Sequence, residues 1–286
     1  ENASRHEGRR RLSSLQGAKS LAGILAAGVT VSVRARPGLI LITDPGPDPD
    51  DVKSLLLAAE LHRVGHVALR AVVCNGGQQA EARARLARCI LDHIGLRSIP
   101  VGVGSAGKEY KPQPHEYKIE GYDEVDPARL FVGADLLMRT LRLARSASLI
   151  IVCISSLRDF ADLVKRAPAL VLSKVKRVGI QGSLEEDLAS PGGLRPETSV
   201  NNEFDREAAA IAYAFCLERG LHMTVVSREA VPMLPMQLAK SFAARTDCPV
   251  MRYLADAQFL GLEGLWVKLC EGRLPARCNK QWYFET

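Results

Sequence analysis

Aromatic residues are scarce in this chain: Phe, Tyr and Trp make up 5% of 286 residues, within an apolar total of 47%. Ala, Leu and Val supply the rest of the core, a composition that suits helices and buried strands. No apolar run reaches the ~18 residues that a membrane-spanning helix needs. No pair of cysteines has C-x-x-C spacing. The cysteines are Cys74, Cys89, Cys153, Cys216, Cys248, Cys270 and Cys278, odd in number, and Cys74 and Cys153 sit inside apolar runs. They read as buried free thiols of an intracellular, reducing compartment, and neither as a disulfide frame nor as a zinc site. The net charge of +6 comes from basic residues scattered along the sequence and not gathered in one stripe. No DNA- or RNA-binding signature accompanies them, so nucleic acid is not an expected partner.

Acidic residues are nearly absent from the first 37 positions. Arg5, Arg9, Arg10, Arg11, Lys19, Arg34 and Arg36 face only Glu1 and Glu7, with serines interleaved. This stretch reads as a basic N-terminal extension, either an organellar targeting remnant or a mobile tail. From residue 38 to 286 the pattern is that of one α/β domain. Apolar runs at Leu39–Thr43, Val67–Cys74, Ile99–Val103, Ser148–Ile154, Val175–Gln181 and His222–Val226 alternate with helix-like segments. The helices are expected at Asp51–Arg63, Gln78–Ile94, Pro127–Ala144, Leu157–Arg166 and Asp205–Arg219, with mostly helix over Ala230–Cys270. A long loop is expected at Gly182–Glu203, and the Tyr- and Pro-rich Lys108–Val125 reads as an excursion or lid carrying His115 and Tyr117. The rhythm predicts a mainly parallel open sheet with helices on both faces.

Against this background one stretch stands out. Asp44-Pro45-Gly46-Pro47-Asp48-Pro49-Asp50-Asp51 puts four carboxylates into eight residues, directly after an apolar strand. Ordinary turn chemistry and a helix N-cap at Asp50 or Asp51 account for one or two of them. Four at the carboxyl end of a buried strand point to a ligand, because like charges there need a hard cation or a hydroxylated substrate to offset them. Asn75-Gly76-Gly77, Ser155-Ser156 and Gln181-Gly182-Ser183 follow other predicted strands, so all of these groups are expected on one polar rim. Asp44, Asp51 and the carbonyl of Ile154 are oxygen donors of the kind Ca²⁺ takes. A metal-bound water is a nucleophile near neutral pH, with Asp44 as its general base.

The acidic turn resembles the opening motif of the inosine–uridine nucleoside hydrolase family, Asp-x-Asp-Pro-Gly-x-Asp-Asp at the end of the first strand. Three further segments are similar in order: Asn75 after Val-Val-Cys, Ile151–Asp159, and Pro196–Ala209. The resemblance covers about residues 38 to 228. It implies calcium held by Asp44, Asp51 and the Ile154 carbonyl, catalysis by Asp44, and ribose hydroxyls held by Asp50, Asn75 and Asn201. It also implies hydrolysis of ribonucleosides in purine and pyrimidine salvage, by a homo-oligomer.

The departures bear on that implication. Ile42 replaces the motif's first Asp, and two extra residues lengthen the acidic turn. Gly193 and Ser199 stand where the family has a ribose-contacting Asn and Glu. The family's closing His-Asp pair has no match: Thr246-Asp247-Cys248-Pro249 comes too early, and Arg277–Phe284 lies where the pair is expected. The residues are therefore truncated or lost. The alternative expectation is a catalytically degenerate copy serving as a structural subunit of a larger, organellar assembly.

Overall fold

The structure, a computed structural model, describes residues 36–286 except 47, 108, 110–115, 232–236, 238, 239, 242, 243, 246, 275, 277 and 286. The basic segment up to residue 35, and with it His115, Thr246 and Arg277, lie outside the described residues.

Seven parallel strands form the central sheet in the order β4-β3-β2-β1-β5-β6-β9. They are β1 (Gly38–Thr43), β2 (Ala68–Cys74), β3 (Val101–Val103), β4 (Leu130–Val132), β5 (Leu149–Cys153), β6 (Val175–Gln181) and β9 (Met223–Val226). A two-stranded antiparallel pair, β7 (Leu184–Glu186) and β8 (Leu194–Pro196), stands apart within the segment expected to be a loop.

Every residue of β1 is buried, which only a strand covered on both faces can sustain. Its side chains alternate. Ile40 and Ile42 join one apolar cluster, while Leu39 and Leu41 join another. The first cluster is closed by α3 (Gly133–Leu143), α4 (Arg158–Arg166) and α7 (Arg206–Arg219), through Leu137, Phe160 and Tyr213 among others. The second is closed by α1 (Asp50–Arg63), α2 (Ala80–His93) and α8 (Pro249–Cys270), through Leu55, Ile90 and Leu254. Short helices α5 (Pro168–Lys174), α6 (Val200–Phe204) and α9 (Lys280–Glu285) complete the described elements. All seven cysteines are free thiols, and five of them are buried.

The structure corrects one predicted helix. Pro127–Ala144 is not helical throughout: a 3-10 turn covers Pro127–Arg129, β4 follows, and α3 begins only at Gly133. Leu130-Phe131-Val132 is a three-residue edge strand whose Phe131 and Val132 are exposed, so it carries no burial alternation to mark it. The turn out of β4 depends on Gly133. A Cβ built there would lie 2.7 Å from the Val103 carbonyl oxygen and 3.0 Å from Cα of Gly104, both backbone.

Gly133→Ala is therefore expected to push the start of α3 off the sheet and to cost about 1–3 kcal/mol, the usual range for overpacking. Urea unfolding measures it, and an unchanged midpoint would show that the backbone contact is not tight.

Candidate functional site

Consecutive strands run outward in opposite directions from β1, with β2 on one side and β5 on the other. Open α/β sheets bind ligands at such a reversal, outside the carboxyl ends of the strands. A cavity of about 940 Å³ opens there. It is lined by Asp44, Asp48, Asp50 and Asp51 after β1, by Gly76 after β2, and by Ile154 and Ser156 after β5. Gln181 at the end of β6, Ser183 after it, Asn201 on α6 and Ser227 after β9 complete the rim. Most of the one-edge polar rim expected from the sequence is there, but Asn75 and Ser155 are buried and do not line the cavity.

The acidic turn is tied shut from inside. Asp51 Oδ1 accepts hydrogen bonds from the Thr43 hydroxyl and from the Asp44 backbone N–H, the latter at 3.1 Å. Asp51 is thus a strut between strand and helix and not an N-cap. Helix α1 starts after Pro49 with no side-chain cap. Burial pushes the Asp51 carboxyl well up from its ordinary range, and the neighbouring Asp44 and Asp50 add to this. Asp50 is also pushed up, by burial and then by Asp48. Burial raises Asp44 to about 6, against the lowering effect of Arg83.

Arg83 is the residue that sequence reasoning missed. It projects from α2, and its Nη1 donates to Asp44 Oδ2 at 2.7 Å and to the Asn75 carbonyl at 3.1 Å. Both side chains are nearly covered, at 6% and 13% exposed. The signal was available: Arg83 falls on the buried face of α2 together with Ala84, Leu86, Ala87 and Ile90, where an unpaired arginine would be costly.

The other expected residues divide. Asn201 lines the cavity, with its amide bridging the ends of β5 and β6 through the Ile154 and Gln181 carbonyls, each at 3.1 Å. Asn75 lies beneath the cavity wall. It is fully buried, and its Nδ2 donates to Asp159 Oδ2 at 2.7 Å and to the Ser156 carbonyl at 3.0 Å. Asp159 also accepts from the backbone N–H and hydroxyl of Ser105, at 3.0 and 2.9 Å. This knot locks the turns after β2, β3 and β5 together. Asn75 Oδ1 is buried with no hydrogen-bond partner among the described residues.

The expected calcium ligands can be tested against this geometry. Ca²⁺ takes six to eight oxygens. Asp44 offers an oxygen already bound to Arg83, Asp51 one already bound to Thr43, and Ile154 a carbonyl already accepting from Asn201. Among the described residues no three His, Cys, Asp or Glu side chains gather as a metal-holding group. A guanidinium 2.7 Å from a would-be ligand oxygen also repels a divalent cation. As arranged, this donor set does not fit calcium: Arg83 supplies the positive charge that the acidic turn requires.

Sheet order, crevice and acidic rim define a doubly wound α/β protein with a cavity at its switch point, where folds of this class take small molecules. Residues 39–261 match the family model described as inosine-uridine preferring nucleoside hydrolase, and the chain belongs to that family. Among solved structures it is similar to the type III effector protein XopQ complexed with adenosine diphosphate ribose. That match has 25% identity and a TM-score of 0.74, over 88% of this chain and 73% of the other. The fold is shared with a purine-preferring ribonucleoside hydrolase from Gardnerella vaginalis, at 17% identity and a TM-score of 0.60, covering 82% of this chain and 74% of that one. It is shared too with an inosine-uridine preferring nucleoside hydrolase from Bacillus anthracis, at 20% identity and a TM-score of 0.54, over 77% of this chain and 75% of that one. No curated protein matches the sequence.

Two outcomes follow from the Arg83–Asp44 pair. Arg83→Met strands a desolvated carboxylate and is expected to cost about 3 kcal/mol in urea unfolding. Asp44→Asn combined with Arg83→Met should cost measurably less, and simple additivity of the two would deny the coupling. The unsubstituted protein should melt at the same temperature in millimolar calcium and in chelator, whereas a rise of several degrees would establish a calcium site.

Proposed function

We propose that this chain hydrolyses the N-glycosidic bond of a ribosyl substrate, taking ribonucleosides as in purine and pyrimidine salvage. Water adds to the anomeric carbon, the bond to the base breaks, and the base leaves with a proton. The observation that carries the reading is Asp44: a carboxylate pushed up to about 6 by burial, opening on a substrate-sized cavity at the switch point. A base poised near neutrality is what activation of water needs. Arg83 fixes one of its oxygens, which leaves the carboxylate oriented. Asp50 and Asn201 face the same cavity and are suited to hold sugar hydroxyls. The negative rim favours the positive charge that develops on the sugar in an oxocarbenium-like transition state. Calcium dependence, which the family resemblance implies, finds no support in the donor set, and no step is assigned to a metal.

A second reading keeps the chemistry and enlarges the substrate. The effector structure with adenosine diphosphate ribose and a cavity near the upper end of the range for small-molecule sites favour a ribosyl compound longer than a nucleoside.

The test is release of free base from inosine, uridine and adenosine, and of free adenine from adenosine diphosphate ribose, with calcium and with chelator. Asp44→Asn is expected to lower the rate about 100-fold or more. A rate unmoved by Asp44→Asn removes Asp44 from the chemistry. No turnover of any compound, with a native mass showing the chain held in a larger assembly, would leave the degenerate structural-subunit reading in place.

A further inference from the structure

The opposite edge of the sheet carries a second cavity, of about 550 Å³, and its charge is of the other sign. Seven arginines line it and no Asp or Glu does. In sequence these arginines are scattered, but parallel topology gathers them. Every strand of the sheet begins at the same edge, so residues that precede successive strands become neighbours. Arg36 precedes β1, Arg97 precedes β3, Arg129 precedes β4 and Arg145 precedes β5, while Arg70 lies near the start of β2. Arg88 from α2 and Arg139 from α3 close the walls.

Two of the seven are structural. Arg88 is 2% exposed and donates to the carbonyls of Ile99 and Leu96, the latter at 3.0 Å, and to Asp92 at 3.1 Å. Arg129 makes a bidentate pair with the same Asp92, at 2.6 and 2.9 Å. One carboxylate thus serves two guanidiniums. Arg36, Arg70, Arg97, Arg139 and Arg145 form no ion pair among the described residues, and all five are exposed. Five like charges around one concavity repel each other unless an anion offsets them. The residues are arginines and not lysines, and the planar guanidinium fork takes two oxygens of a phosphate or carboxylate by paired hydrogen bonds. The volume is that of a small-molecule site and not of a nucleic-acid groove. Phe131 and Leu143, 41% and 77% exposed, add an apolar wall.

We propose that this cavity binds a small molecule bearing a chain of two or more phosphates, free or attached to a nucleoside. It is separate from the acidic crevice. Gly38 lines the cationic cavity and Asp44 the acidic one, so the two lie about 20 Å apart at ~3.3 Å per residue of β1. The proposal does not rest on the hydrolase reading and survives its failure.

Titration calorimetry with the full chain tests it, using inorganic tripolyphosphate in one arm and adenosine triphosphate in the other, at low and at physiological salt. Saturable binding of one molecule per chain by either probe is expected, weakening with salt. Tighter binding of adenosine triphosphate would place a base against Phe131 and Leu143. Arg139→Gln with Arg145→Gln, both exposed and outside the core, should weaken binding about tenfold or more. Arg142→Gln, exposed on the same helix as Arg139 but outside both cavities, should leave it unchanged. The proposal is overturned if neither probe saturates, or if the double substitution binds as before. Equal displacement by sulfate would reduce the effect to ionic screening and would also sink it. Tighter binding of single-stranded oligonucleotides, rising with their length, would replace it with a nucleic-acid surface.

Discussion

Parallel strand direction is the constraint on which the rest of this molecule depends. A parallel sheet has two chemically different edges, because every strand ends at one and begins at the other. The apolar runs have to be buried on both faces, and the helices that close the two apolar clusters achieve that. Polar groups are thereby excluded from the middle of the sheet and pushed to its ends. At the carboxyl edge they are Asp44, Asp50, Asp51, Asn201 and Gln181. At the amino edge they are arginines. Strand β1, buried along its whole length, joins the two edges.

The acidic turn illustrates how burial and charge trade against each other. Three of its carboxyls are pushed above their ordinary range, with desolvation first among the causes for each. A carboxyl whose folded pKa is raised stabilises the fold fully below its unfolded pKa, and that contribution is lost as pH rises through the folded value. For Asp44 the window runs from about 4 to about 6. At neutral pH the turn therefore costs the fold free energy. Arg83 limits that cost by placing its charge against Asp44, and Thr43 does so for Asp51 by hydrogen bonding.

Much of this was legible in the sequence because it rests on period and order. Runs of β-branched and aliphatic residues gave the strands of the sheet's centre, and the βαβ rhythm gave their parallel direction. The acidic turn was legible because four carboxylates after an apolar run have few structural explanations. What was not legible depends on contacts between distant segments. β4 is too short and too exposed to alternate. Asn75 sits where a ribose contact was expected, yet it is turned inward by Asp159 and Ser156, residues 84 and 81 positions away. Arg83 reads locally as one of several arginines on a helix, and only the fold places it 39 positions back along the chain, on Asp44.

The arginines make the same point with the opposite outcome. Counted along the chain they are dispersed, and Arg139, Arg142 and Arg145 look like a solvated helix face. In the fold, Arg139 and Arg145 line the cationic cavity while Arg142 does not. A charge patch on a parallel sheet is written in the residues that precede strands, one per crossover, at intervals set by the connecting helices. A search for a basic stripe within one segment cannot find it, because the period that matters is the length of a βα unit. The four carboxylates were conspicuous because one turn holds them all. The seven arginines needed the whole topology to become neighbours, and the same parallel order that created the acidic crevice put them there.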